Sequence, residues 1–222
     1  MSHPAPTETA EPVVGRRERK KQATRAALRD AALRLSLRHG VENVTVEQIA
    51  YEADIALRTF FNYFSSKEEA VVASLSSGAE VLIAEFRARP LTESVLQAFR
   101  EAVLTVMNRS DAAGRDYLAV MRLVRKAPSL VPQKLAVLAA QEQALATAIA
   151  DRLGLPPPGH GPGNGPVYPA VCAAAVLSAL RVVLDQWLLP GPGPELTPSM
   201  AVLGKQIDEA IAELATGLDR HR

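Results

Sequence analysis

Arg58, Thr59, Asn62 and Tyr63 stand within a span of six residues, and their types are those that read nucleic acid. Arg pairs bidentately with a guanine edge and Asn with an adenine edge, while Thr meets a thymine methyl or a phosphate and Tyr donates to a phosphate. Phe60 and Phe64 lie one helical turn apart. A helix from about Leu57 to Phe64 that buries both rings therefore turns the four polar side chains outward. Phe61 falls between the two faces, where it can support the turn or touch a thymine methyl.

The elements that must position this set run from Thr45 to Lys67, TVEQIAYEADIALRTFFNYFSSK. The stretch divides at Asp54-Ile55-Ala56 into two short helical segments with an inward set of Ile49, Ala50, Ala53, Ile55, Phe60 and Phe64. That is the pattern of a helix-turn-helix; the competing reading is a plain helical hairpin with polar residues outside. Thr45 with Gln48, and Ser66 with Glu69, have the spacing of capping boxes. A helix N-terminus aimed at DNA would present free N–H groups to phosphate. Upstream, Arg16, Arg17, Arg19, Lys20 and Lys21 form a basic arm leading into a first helix, where Leu28, Ala31, Ala32 and Leu35 recur at helical spacing until Gly40 ends it. A charge run of this kind is ordinarily just solvated, but directly before a helix-turn-helix it reads as an arm that tracks phosphates or the minor groove.

Thr45-Val46, Ile49-Ala50, Ala53, Thr59-Phe60, Tyr63-Phe64 and Ser66-Lys67-Glu68 resemble the signature of the tetracycline-repressor (TetR) family of bacterial transcription factors, over roughly residues 20 to 75. The family pattern has Gly where Asp54 stands and Ser where Ala56 stands. Asp tolerates a positive φ, so the turn should survive. Ala56 cannot cap the next helix, at a cost of about 0.5 to 2 kcal/mol against Ser. The resemblance implies a phosphate contact at Lys67. It also implies a repressor that binds a near-palindromic operator as a homodimer and is released by a small effector.

The net charge of the 222-residue chain is only +1, yet Arg16 to His39 holds nine Lys and Arg against Glu18 and Asp30. The remainder is therefore acidic, as expected for a DNA-binding head on a body with another task. Few aromatics, abundant Ala and Leu, and few alternating β-branched runs predict an all-α fold. Its expected parts are a disordered tail over 1–15, a three-helix helix-turn-helix domain with its basic arm over 16–67, and a helical effector-binding and dimerisation domain over 68–222. A single cysteine, Cys172, rules out an intramolecular disulfide and fits a reducing cytoplasm. The N-terminal residues lack the apolar segment of a secretory signal. The apolar run Ala170 to Leu189 carries Arg181, Asp185 and Gln186, which argues for a buried interface helix over a membrane span. His3, His39, His160 and His221 are scattered, and no HExxH, CxxC, Ser-x-x-Lys or G-x-S-x-G is present. The Gly/Pro-rich segment 154–166 misses both phosphate-loop spacings. No enzyme, cofactor or metal site is expected.

In the body, helices are predicted from about Lys67 to Arg89, Thr92 to Asn108, Asp116 to Lys126, Leu130 to Leu153, Val167 to Leu189 and Thr197 to Leu218. The last carries a stripe of Leu203, Ile207, Ile211 and Leu214, read as a dimer interface, with packing inside its own chain as the alternative. Phe99, Val103, Met121 and Trp187 are candidates to line an apolar effector cavity, though any one of them is more often simply core. Arg122 and Arg125, together with Arg181 and Asp185, are candidates to orient the ligand. The run RLVRKAPSLVP and the Trp near the end of the penultimate helix are similar to the branch with the ligand domain of the mycofactocin-system regulator, which implies an acyl-thioester effector. The expected partners are double-stranded DNA, a second copy of the chain and an apolar or amphipathic small molecule. An alternative is a helical adaptor protein whose basic head attaches to DNA nonspecifically.

Overall fold

The computed structural model describes residues 15–109, 112–156, 166–187 and 200–217. Among them are nine α-helices, two 3-10 turns and no strand. The predicted tail, apart from Gly15, lies outside the described residues, as do 157–165 of the Gly/Pro-rich segment and the outermost residues of the last two predicted helices. The chain divides into two compact units, Met1–Ala70 and Val71–Arg222, a boundary just inside the first turn of the fourth helix.

In the first unit, α1 runs over Arg16–His39. The basic residues predicted as an arm are its first turns, because nothing between Gly15 and Gly40 breaks a run of Arg, Lys, Gln and Ala. It buries Leu28, Ala31, Ala32 and Leu33. Leu35 is only half-buried, and Ser36 is buried in its stead. Gly40 ends the helix at φ 81, with its N–H donating to the Ser36 carbonyl. A 3-10 turn, Val41–Asn43, leads to α2, Val46–Glu52. Thr45 and Gln48 form the full capping box: the Thr45 hydroxyl oxygen accepts from the Gln48 N–H, and the Gln48 carboxamide accepts from the Thr45 N–H.

Asp54 takes φ 55, the only positive φ of a non-glycine residue among those described. Its N–H donates to the Tyr51 carbonyl at 3.0 Å and the next, of Ile55, to the Ala50 carbonyl at 2.9 Å. These are the paired bonds of a Schellman motif, with an aspartate in the place glycine usually takes. The helix that follows, α3, is a single turn, Leu57–Phe60, shorter than predicted. Ala56 gives it no side-chain cap. Beyond Phe60, the bonds Asn62 N–H to Thr59 and Tyr63 N–H to Phe60 tighten the chain into a 3-10-like turn. Phe60 and Phe64 are both buried, with ring centroids 5.8 Å apart.

The second unit contains most of α4 (Lys67–Ala88), then α5 (Val95–Asn108), α6 (Ala112–Lys126), a 3-10 turn at Pro128–Leu130, α7 (Val131–Leu153), α8 (Val167–Trp187) and α9 (Met200–Ala215). Ser94 caps α5 by accepting from the Gln97 N–H. The α4–α5 turn is held from a distance by Arg152. Its guanidinium donates to the carbonyls of Arg89, Pro90 and Glu93 and lies over the Phe86 ring, 5.5 Å from the centroid. Phe86, Phe99, Leu145, Ile149, Leu203 and Ile207 lie at the centre of the core, with Ala98, Ala102, Ala146 and Ala173 between them allowing close helix approach.

The predicted dimer stripe is occupied inside its own chain. Leu203, Ile207 and Ile211 are buried in that core and Leu214 is half-buried against it. Asp208 of α9 receives a hydrogen bond from Arg100 Nε of α5 at 2.6 Å. The periodicity was right about amphipathicity but silent about which neighbour covers the apolar face. Apolar surface is left uncovered on α8, where Tyr168, Val171 and Val182 are all at least half exposed, with Val202 of α9 at 45%; Leu91 and Leu135 are exposed elsewhere in this unit.

Candidate nucleic-acid interface

Arg58 and Asn62 are exposed, whereas Thr59 and Tyr63 are half-buried, so the predicted set of four divides into two free side chains and two that also support the turn. Phe61 joins the free pair. It is 56% exposed, held edge-on against Phe60 at 5.4 Å, and large enough that only a partner surface would cover it. Sequence reasoning left it between two faces; the available signal was that it falls out of the i, i+4 phase of Phe60 and Phe64.

The basic residues of α1 divide in the same way. Arg16, Arg17, Arg19, Lys20 and Lys21 are exposed and free to meet phosphate. Farther along, Arg25 lies over the Phe64 ring at 4.9 Å, Arg29 pairs with Asp30 at 2.8 Å, and Arg34 pairs with Glu52 at 3.3 Å. The charge surplus read from this helix therefore overstates what a duplex would meet.

Thr45, at the helix N-terminus expected to face phosphate, and Lys67 are both engaged within the protein. The Thr45 hydroxyl caps α2 and also bonds Glu47, whose carboxylate is held below its ordinary range first by its own backbone N–H and then by Thr45. A persistent anion thus stands beside the proposed contact. Lys67 turns its ammonium inward, onto the carbonyls of Val41 and Val44 at 2.9 Å each and of Glu42 at 3.5 Å. Spacing along the chain gave no sign of this, because the acceptors lie 23 to 26 residues away.

The residues predicted to line an effector cavity divide between the core, the surface and one small cavity. Phe99, Val103 and Trp187 are core, buried to 5% exposure or less, and Arg122 and Arg125 are exposed. Arg125 reaches the Asp185 carbonyl at 3.3 Å. Of the eight candidates, Met121 and Arg181 line a small cavity of the body, about 30 Å³ in volume. Leu75, Leu138, Leu177 and Leu180 complete its apolar side, and Tyr117, Lys134, Gln141 and Arg181 its polar one. Two of these touch α4 directly. Gln141 Nε2 donates to the Leu75 carbonyl at 3.0 Å. The Tyr117 ring packs on Gly78 so closely that a Cβ there would come 3.0 Å from it. Burial, with a smaller contribution from the Asp185 charge, pushes the Tyr117 hydroxyl up to about 12, so it stays protonated.

Residues 28–73 match the family described as bacterial regulatory proteins, tetR family, and residues 93–219 match the MftR C-terminal domain. The chain is 35% identical over 181 residues to the HTH-type transcriptional regulator TcmR of Streptomyces glaucescens, covering 79% of this chain and 77% of that one. Among solved structures, SmeT, the repressor of the Stenotrophomonas maltophilia multidrug efflux pump SmeDEF, aligns over 88% of this chain and 90% of its own with a TM-score of 0.55 and 19% identity. FadR of Thermus thermophilus, a transcriptional repressor in complex with lauroyl-CoA, aligns over 89% and 96% with a TM-score of 0.54 and 21% identity. At such identities these two structures speak for the fold alone.

Proposed function

Because the chain belongs to the tetR family of bacterial regulatory proteins, we propose that this DNA-binding transcriptional regulator is a homodimeric repressor whose hold on a near-palindromic operator is loosened by a small amphipathic effector. The observation that carries the reading is the outer side of α3 and the turn after it, which displays Arg58, Phe61 and Asn62 while Phe60 and Phe64 are buried. It offers one guanine-pairing, one methyl-touching and one adenine-pairing side chain on a rigid base. One such module buries too little surface for a selective site, so a twofold pair reading half-sites about 34 to 36 Å apart is the economical arrangement. Val171, Ala175, Ser178 and Val182 recur at helical spacing along α8, with both valines exposed, and fit the seam of a bundle between two copies.

The cavity supports the effector part. Its apolar walls suit a hydrocarbon, and Lys134 and Arg181 suit an anionic group attached to it. At about 30 Å³ it is too small for such a molecule without movement of its walls. One wall is Tyr117, backed by Gly78 on α4, the helix that continues into the DNA-reading unit. An effector that binds the displaced arrangement better shifts the population away from the operator-competent one. Lauroyl-CoA, the molecule held by the T. thermophilus FadR structure, is the first probe to try.

Selection of genomic fragments on the purified protein should return a near-palindromic site that survives competition with random DNA in a gel shift. Lauroyl-CoA, but not free coenzyme A, should then release it. A protein that retains no fragment preferentially is not an operator-binding regulator. One that keeps its operator under every acyl-CoA tested senses another class of molecule.

A further inference from the structure

We propose that Lys67 is a positioning residue and not a phosphate ligand: its ammonium is the clasp that closes the helix-turn-helix and so holds Arg58 in register. The inference rests on the DNA-binding reading above.

An ammonium has three N–H donors. Those of Lys67 point at three carbonyls of one turn, Val41 and Val44 at 2.9 Å and Glu42 at 3.5 Å. The Lys67 side chain is only 20% exposed, and its nearest carboxylate, Glu68, is 3.9 Å away. The turn it grips is anchored in turn, since the side chains of Val41 and Val44 are each 2% exposed. A phosphate oxygen could recruit this ammonium only by stripping it from a turn whose carbonyls are then left without their charged donor.

The placement explains what the clasp does. Val44 immediately precedes Thr45, the cap of α2, and Lys67 immediately follows Ser66, whose hydroxyl accepts from the Glu69 N–H at the start of α4. The bond from Lys67 to Val44 therefore closes everything between the two caps into one loop, and that loop contains the Asp54 turn and the single-turn α3 with Arg58. A helix of one turn has little stability of its own and takes its orientation from what closes around it. Phe60 and Phe64 fix it from the inside; Lys67 fixes the two ends of the segment against each other.

The test separates charge from geometry in the full-length protein, with operator affinity measured across a salt series below the melting temperature of every variant. Lys67→Arg keeps the charge but replaces a point ammonium with a longer planar head, which cannot stand 2.9 Å from both the Val41 and Val44 carbonyls without moving the turn. Lys67→Met removes both. As a clasp, Lys67 predicts that both variants lose operator affinity by about tenfold or more, since a set of charge-assisted hydrogen bonds is gone in each. It also predicts that the salt slope of Lys67→Met stays that of the parent. As a phosphate ligand, Lys67 predicts near-parental binding by Lys67→Arg and a slope reduced by about 0.9 in Lys67→Met; that pattern overturns the proposal. So does a lowered melting temperature with parental affinity in both variants, which would make Lys67 important to the fold alone. If Lys67→Met does not fold, Lys67→Arg decides: lost affinity at retained charge supports the clasp, and retained affinity refutes it. Failure of the parent protein to prefer its operator would instead refute the DNA-binding reading itself.

Discussion

The DNA-reading unit and the body both bury their large side chains but differ in what they leave outside. In the first, the bulk is inside, with Leu28, Ile49, Phe60 and Phe64 buried under a surface that carries the cations of α1 and two outward rings, Tyr51 and Phe61. In the second, alanines such as Ala98, Ala102, Ala148 and Ala173 bring helices close together, and it is the outside of α8 that is apolar. The difference follows from what each surface meets. A duplex presents phosphates and base edges, which reward charge and a few hydrogen-bonding groups on a stiff base. A second helical protein presents hydrocarbon, which rewards an uncharged stripe.

Both units nevertheless solve one problem alike. Lys67 and Arg152 are each drawn inward to carbonyls of a turn far along the chain, three acceptors apiece. Cations that composition assigns to the surface serve as staples wherever a turn leaves several carbonyls pointing at one place.

The comparison is broken most easily by Phe60→Ala. If the two cores are separate, this change costs about 3 to 5 kcal/mol in the DNA-reading unit alone. Calorimetry should then show an early transition for that unit while the body's transition keeps its temperature; one transition that shifts as a whole would mean a shared core. The next effect concerns the two faces of the last helices. Ile207→Glu puts a charge into the core and should destabilise the body by about 3 kcal/mol or more. Val171→Glu with Val182→Glu should leave it folded and yield monomers in sedimentation velocity. A persistent dimer in the second protein would move the interface off α8.

Arg58→Ala sharpens the account of the reading surface. It should cost about 1 to 3 kcal/mol at the operator and relax preference at one base pair. Footprints with unchanged preference would remove Arg58 from the readers. Phe61→Ala should abolish discrimination between thymine and uracil at one operator position, worth about 1 kcal/mol for a methyl contact. Equal discrimination by parent and variant would show that the ring touches no methyl. The smallest change is a gain: Ala56→Ser supplies the cap that α3 lacks, at a position already in extended geometry with φ −60 and ψ 139. It should stabilise the DNA-reading unit by about 0.5 to 1 kcal/mol in thermal melts.

Much of this molecule was legible before any coordinates because its punctuation is local. Gly40, the Thr45–Gln48 box, the bounds of α4 and α7 and the end of α5 each depend on residues within a few positions of one another. The positive φ at Asp54 was legible for the same reason. The length of α3 was misjudged where two local preferences compete, since Phe60 and Phe64 ask for a full helix while an uncapped start and tight 3-10 bonds end it early. The side chains whose surroundings local spacing does not reveal are those that depend on distant partners: Lys67 on a turn 23 to 26 residues back, Phe99 and Trp187 on the company they keep in the core.

By itself the amino-acid order determined a helical fold, a helix-turn-helix near its start and that Arg58 and Asn62 face away from the buried Phe60 and Phe64, because helical phase and caps are set within one or two turns. Only the tertiary structure decided which apolar stripe of α8 and α9 stays uncovered, which side chains wall the cavity, and that Lys67 faces in. Those outcomes depend on contacts such as Arg100 with Asp208, 108 residues apart, where no pattern of spacing says which of several compatible faces a helix will find.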